Sequence, residues 1–189
     1  MNYSQITWLC WEAFGLVWLV GSIYNVFRGP RVVRKPLQSW RYWLIGVLLI
    51  YLVFHYLSPH SVGVLYRLPI QWVEILGVII LVSSTLFAIW ARIVLGVMWS
   101  SSVTLKSDHE LRTNGPYRIT RHPIYTGILG MLVGSNFTVG MVFLPSSLVA
   151  LCILLVKIRN EERLMEETFG EEYLDYKKRV PQLIPVRKW

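Results

Sequence analysis

Hydrophobic positions in this chain fall in long unbroken runs rather than in the alternating periods of half-buried helices or strands. Apolar stretches extend over roughly Ile6 to Phe27, Tyr42 to Leu57, Leu68 to Leu95, Ile124 to Asn136 and Met141 to Val156. Each reads as a helix of membrane-spanning or near-spanning length, because a hydrocarbon core of about 30 Å takes about 20 apolar residues. The last two are short. The stretch from Ile124 covers only about 20 Å at the helical rise, so its helix must begin inside the polar segment before it, tilt, or form a hairpin through Thr138-Val139-Gly140. Length alone allows four spans or five.

Charge placement separates the two, since cytoplasmic loops carry an excess of Lys and Arg. Arg28, Arg31, Arg34, Lys35 and Arg41 follow the first run, whereas Ser58 to Arg67 offers one arginine. The connection from Lys106 to Arg121 is basic again, and the tail from Lys157 carries both signs. Five spans put all these segments on one side, with the amino terminus outside and the carboxyl terminus in the cytoplasm. The expected fold is therefore all-α: an integral membrane bundle of about five transmembrane helices with a cytoplasmic helical tail. Composition agrees, with 54% hydrophobic and 14% aromatic residues in 189, too apolar for a soluble domain. No linker divides the chain, so one domain is expected over 1–189, with amino-terminal spans over 1–95 and the functional part over 96–189. The first run has neither a basic segment before it nor a small-residue cleavage site after it, and is expected to be retained. Cys10 and Cys152 lie in apolar runs without disulfide or metal spacing, and no metal is assigned. The net charge of +8 flanks the spans, which suits anionic lipid better than nucleic acid.

The polar residues at the mouth of the fourth span mark the candidate chemistry. Asn114-Gly-Pro-Tyr-Arg-Ile-Thr-Arg-His-Pro-Ile-Tyr-Thr-Gly127 brings arginines, a histidine and tyrosines to the edge of hydrocarbon, where such groups line cavities or water. Pro123 suits the first turn of a helix, whose free amides can meet an anion. Taken alone, these residues are more simply a helix start with interfacial anchors. After the fifth span the chain reads IRNEERLMEETFGEEYLDYKKRVPQLIP, from Ile158 to Pro185. Taken alone, this is a solvated helix with ion pairs, ended at Phe169-Gly170 and followed by a short amphipathic helix. Glu161 and Glu162 are adjacent and point about 100° apart on a helix, so at most one addresses the same ligand as Arg159. Arg92 lies in the third run near the same mouth, too far along the helix to pair with Glu74 and within reach of a cofactor or acceptor.

The two segments together, with Leu95 to Ser100 and Leu105 to Leu111 before them, resemble the isoprenylcysteine carboxyl methyltransferase family, within the wider membrane methyltransferases that include the phospholipid methyltransferases. The resemblance covers about half the chain, from Leu95 onward. It implies an enzyme that uses S-adenosylmethionine from the cytosol and a lipophilic acceptor from the bilayer. It further implies that Lys106, His109 and Leu111 line the adenosine side and that Tyr117, Arg121, His122 and Tyr125 close over the cofactor. One of Glu161 and Glu162 would pair with its ammonium group. Methyl displacement needs an aligned nucleophile more than a reactive side chain, and a carboxylate acceptor is already ionised near neutral pH. Arg159 or Arg121 would orient such an acceptor, and with Glu162 they form the expected catalytic set.

Other acceptors within the group are a phospholipid amine or a thiol; an amine would need a base, and an arginine would be an unwelcome neighbour. A membrane sterol reductase using NADPH is a second class, with a related motif, but the chain is short for one and has no glycine-rich phosphate loop. A non-catalytic membrane scaffold explains the hydrophobicity but not the paired motifs. The compact length looks like a prokaryotic member, expected in the inner membrane.

Overall fold

The computed structural model describes residues 2–28, 32–34, 70–98, 105–106, 111–140 and 144–184. Five α-helices, two short 3₁₀ turns and one pair of short strands make up the regular structure there. Helix α1 spans Tyr3–Arg28, α2 Gln71–Leu95, α3 Pro123–Val139, α4 Leu144–Phe169 and α5 Glu171–Arg179. Strands β1 (Val32–Arg34) and β2 (Leu105–Lys106) pair antiparallel with an irregular register, Val32 opposite Lys106 and Arg34 opposite Leu105. This pair is an addition to the all-helical expectation. It also ties the connection after the first span to the one before the motif, so both lie at the same end of the bundle.

The first and third apolar runs form helices long and apolar enough to cross a membrane, Tyr3–Asn25 and Gln71–Met98. Their outward faces carry Leu16, Leu19, Leu86 and Ile93, all exposed, which suits lipid rather than water. The expected second span, Tyr42 to Leu57, lies outside the described residues. The fourth apolar run resolves its own length problem: α3 starts at Pro123, inside the motif, and its 17 residues reach about 25 Å.

Small residues set how the helices pack. Helix α3 runs antiparallel to α2, and the two approach so closely that a Cβ on Gly127 would lie 2.6 Å from Ala88 Cβ, and one on Gly134 2.8 Å from the Gly77 carbonyl oxygen. Backbone approach of this kind replaces the hydrophobic drive that lipid removes. Helix α1 lies parallel to α2, with Cys10 packed near Leu81 and Gly21 beneath the Arg92 guanidinium. At the opposite end from the motif, Thr7 Oγ1 and Thr138 Oγ1 are 2.7 Å apart and Trp11 Nε1 donates to Ser135 Oγ at 3.0 Å, stitching α1 to α3.

Helix α4 continues without a break from an apolar half into the charged half that begins at Lys157. It ends at Phe169, where Gly170 takes a left-handed conformation (φ 51°) that a side chain would strain. Helix α5 then carries Glu171 and Glu172 in its first turn and Lys177, Lys178 and Arg179 in its last, each sign at the end of the helix dipole that favours it. Tyr173, Tyr176 and Val180 form a small core with Leu111, Met165 and Phe169, so the tail folds back as a lobe on the motif end of the bundle.

Candidate functional site

The RHP motif is held from two sides. A short 3₁₀ turn over Gly115–Arg118 packs Tyr117 against Ala91 and Ile124, and the returning tail hydrogen-bonds the motif backbone. The Arg121 amide donates to the Pro181 carbonyl at 2.9 Å and the His122 amide to Gln182 at 3.2 Å, while Thr126 Oγ1 donates to Leu183 at 2.8 Å. The Tyr176 hydroxyl donates to the Tyr117 carbonyl in the same seam. These bonds tie the residues just before α3 to the returning tail and fix where the helix starts.

Against this frame sit the two glutamates of α4, with sharply different surroundings. Glu162 is buried and accepts from Arg121 Nε at 2.9 Å, lies 2.8 Å from Arg121 Nη2 and 3.2 Å from His122 Nε2, and meets Lys177 Nζ at 3.3 Å. Burial alone would raise its pKa, but the hydrogen bonds from His122 and Arg121 and the arginine charge overcome it, holding the carboxyl well below the ordinary range. Arg121 is saturated in turn, since Nη1 also donates to the carbonyls of Lys177 and Val180. Glu161 is half-buried and less engaged: the Tyr125 hydroxyl donates to it at 2.6 Å, and His122 Nδ1 is 3.7 Å away. His122 and Tyr125 stack nearly parallel, 5.7 Å between ring centroids.

Tyr117 lies between the charges of the site. Its hydroxyl pKa is pushed up by burial first and then by Glu161 and Tyr176, against a lowering contribution from Arg92, so the phenol stays protonated. Arg92 is itself buried, at 4% exposure, and its Nη1 donates to the Gly96 carbonyl at 2.8 Å. Lys157 extends from α4 one turn before Glu161, with Nζ 5.4 Å from the centroid of the Tyr125 ring.

The structure thus gathers Tyr117, Arg121, His122, Tyr125, Glu161 and Glu162 into one cluster. Leu111 lies instead in the small core of the tail lobe, against Tyr173 and Tyr176. The Lys106 backbone is in β2, and His109 lies outside the described residues. Arg159 is exposed on α4 and makes no hydrogen bond or ion pair with the cluster among the described residues. Lys157, two residues earlier and so about 200° around the helix, takes the side that Arg159 was expected to occupy. Sequence reasoning passed over Lys157 as part of a charge run; its signal was position, four residues before Glu161.

Comparison with known proteins shows what the chain resembles. The model of the isoprenylcysteine carboxyl methyltransferase (ICMT) family matches residues 76–167, from α2 through most of α4. The chain is similar to this family over nearly half its length. Similar proteins include the protein-S-isoprenylcysteine O-methyltransferase of Saccharomyces cerevisiae, 31% identical over 71% of this chain and 58% of that one. The Schizosaccharomyces pombe protein of the same name is 28% identical over 97% of this chain and 73% of its own length. Isoform B of Arabidopsis thaliana is 28% identical over 60% of each chain, so this chain spans about three fifths of the length of the Arabidopsis and budding-yeast relatives. Among solved structures, the eukaryotic intramembrane Ras methyltransferase ICMT superposes with a TM-score of 0.60 at 22% identity, over 76% of this chain and 52% of that one. That likeness bears on the fold: an integral membrane helical bundle.

Proposed function

We propose that this chain is a member of that methyltransferase family and transfers a methyl group from S-adenosylmethionine to a carboxylate on a membrane-embedded, isoprenylcysteine-like acceptor. The observation that carries the reading is the division of labour between the glutamates. Glu162 is consumed by Arg121, His122 and Lys177 and serves as a structural anion. Glu161 keeps acceptor capacity beside two aromatic rings, which is the anion that a cofactor ammonium group requires to offset its desolvation. Tyr117, His122 and Tyr125 fit the flat adenosine and the sulfonium; S-adenosylmethionine, when bound, supplies an electrophilic methyl group.

The chain's own residues then bind and orient. Arg121 is spent on Glu162 and backbone carbonyls, so orientation of the acceptor carboxylate falls to Lys157 and Arg92, which approach the Tyr117–Tyr125 site from α4 and α2. Neither needs to move a proton, because the acceptor is ionised already. In this reading the tail lobe faces the cytosol and the amino terminus lies outside, as the basic connections require.

Calorimetric titration of the detergent-purified protein with S-adenosylhomocysteine, with NADPH in parallel, tests the cofactor. Saturable binding of the first alone is expected. Binding of NADPH alone would move the protein to the reductases, and binding of neither would overturn the reading. Radiolabelled methyl transfer to N-acetyl-S-farnesylcysteine, against a phosphatidylethanolamine acceptor, then separates carboxylate from amine.

A further inference from the structure

Beyond the Arg121–Glu162 pair, on the far side from Tyr125, the tail lobe encloses an open cavity of about 1070 Å³. Its lining includes Arg118 from the 3₁₀ turn, Lys177, Lys178 and Arg179 from α5, and Arg121, with Glu162 as the single carboxylate. Much of this charge is answered locally. Glu162 meets Arg121 and Lys177, Glu166 meets Lys177 at 2.6 Å, and Asp175 meets Lys178 at 2.8 Å. Arg118 and Arg179 are exposed and have no carboxylate at ion-pair distance among the described residues; Arg179 Nε donates only to the Asp175 carbonyl at 3.2 Å. Two guanidinium groups from different elements therefore flank one concave basic surface.

Apolar groups stand on the same rim. Ile119 is 41% exposed and Ile184 71% exposed, both lining the cavity. The turn that carries Arg118 packs on the last turns of α2, where Gly115 adjoins Val94 and Trp90 and where Ile93 is exposed toward lipid. The mouth of the cavity consequently lies level with the end of the apolar zone. A guanidinium pair beside exposed isoleucines at that depth matches an ionised phosphodiester above the first carbons of its acyl chains.

We propose that this cavity is a phosphate-binding site for the headgroup of an anionic phospholipid, held by Arg118 and Arg179 with Ile119 and Ile184 against its glycerol and acyl stem. The site lies across the Arg121–Glu162 wall from the proposed cofactor pocket, so occupancy would steady the lobe that clamps the RHP motif. The inference does not rest on methyl transfer.

Calorimetry on the full chain in a neutral detergent tests it, with dihexanoyl phosphatidylglycerol, dihexanoyl phosphatidylcholine and inorganic phosphate as probes. Phosphatidylglycerol is expected to bind saturably and at least tenfold more tightly than phosphatidylcholine or phosphate. The double variant Arg118→Gln/Arg179→Gln should lose tenfold or more, and Arg118→Lys/Arg179→Lys should recover most of it. Each single glutamine variant gives the same reading should the pair fail to fold. Equal binding of the two lipids, or a glutamine variant that binds like the wild type, overturns the proposal. Inorganic phosphate binding as tightly as the lipid would reassign the site to a soluble anion, and displacement of the lipid by S-adenosylhomocysteine would place the cavity in the cofactor site; either result overturns it.

Discussion

Two neighbouring glutamates with opposite duties are the clearest lesson at the scale of the residue. Glu162 is held by Arg121, His122 and Lys177, and Glu161 faces an aromatic corner. Replacing Glu161 with Gln should weaken S-adenosylhomocysteine binding by tenfold or more in calorimetry while the melting temperature stays within a degree or two. Glu162→Gln should do the reverse first: it leaves Arg121 and His122 without their anion, costing about 2–4 kcal/mol, seen as a lower melting temperature in detergent. A Glu161→Gln variant that binds cofactor normally would remove that residue from the site. Lys157→Gln should lower turnover on a carboxylate acceptor more than it lowers cofactor affinity, whereas Arg159→Gln, exposed on the other side of α4, should leave both unchanged. Spacing alone could say only that the two glutamates point apart; which one is buried depends on where the fold puts Arg121, His122 and Lys177.

At the scale of the element, the α2–α3 pair rests on backbone contact. A side chain on Gly127 or Gly134 has no room without moving a helix. Gly134→Leu should therefore destabilise the bundle by about 1–3 kcal/mol, measured by thermal unfolding in detergent, and a variant as stable as the wild type would show that the helices can part. The sequence marked α3 by its apolar run and its starting proline, because both signals are local. It did not mark which face α3 gives to α2, since in lipid the apolar residues are no guide to the inside and only small size distinguishes the buried stripe. The β1–β2 pair was equally illegible: two or three residues carry no periodicity.

For the whole molecule, the antiparallel run of α3 against α1 and α2, and the docking of the tail on the motif, put Ser4 and Lys178 at opposite ends of the bundle. Single cysteines introduced at the two positions should be labelled from opposite faces of sealed vesicles by an impermeant maleimide; labelling from one face would contradict the arrangement. The tail lobe should also respond to acid. Glu162 has a folded pKa below its unfolded value of about 4.3, so its contribution is complete above about pH 5 and is lost as pH falls toward the depressed folded value. Lys177 works in the opposite sense, chiefly through its hydrogen bond to Glu166: its pKa is raised, so its contribution is present below the unfolded value and fades as pH rises through the folded one. Thermal unfolding followed across pH should show a plateau between these limits, and an acid limb missing in Glu162→Gln.

The sequence by itself determined that this is a helical membrane protein and where the described apolar helices run, because hydrocarbon imposes length and composition on each segment independently of its neighbours. Only the tertiary structure decided what those segments do to one another. The Lys177 contact of Glu162, the saturation of Arg121 and the cavity beside Arg118 all depend on a tail that folds back some sixty residues after the motif. Charge pairing across such a separation leaves no periodic trace in the chain, since it is set by three-dimensional proximity alone.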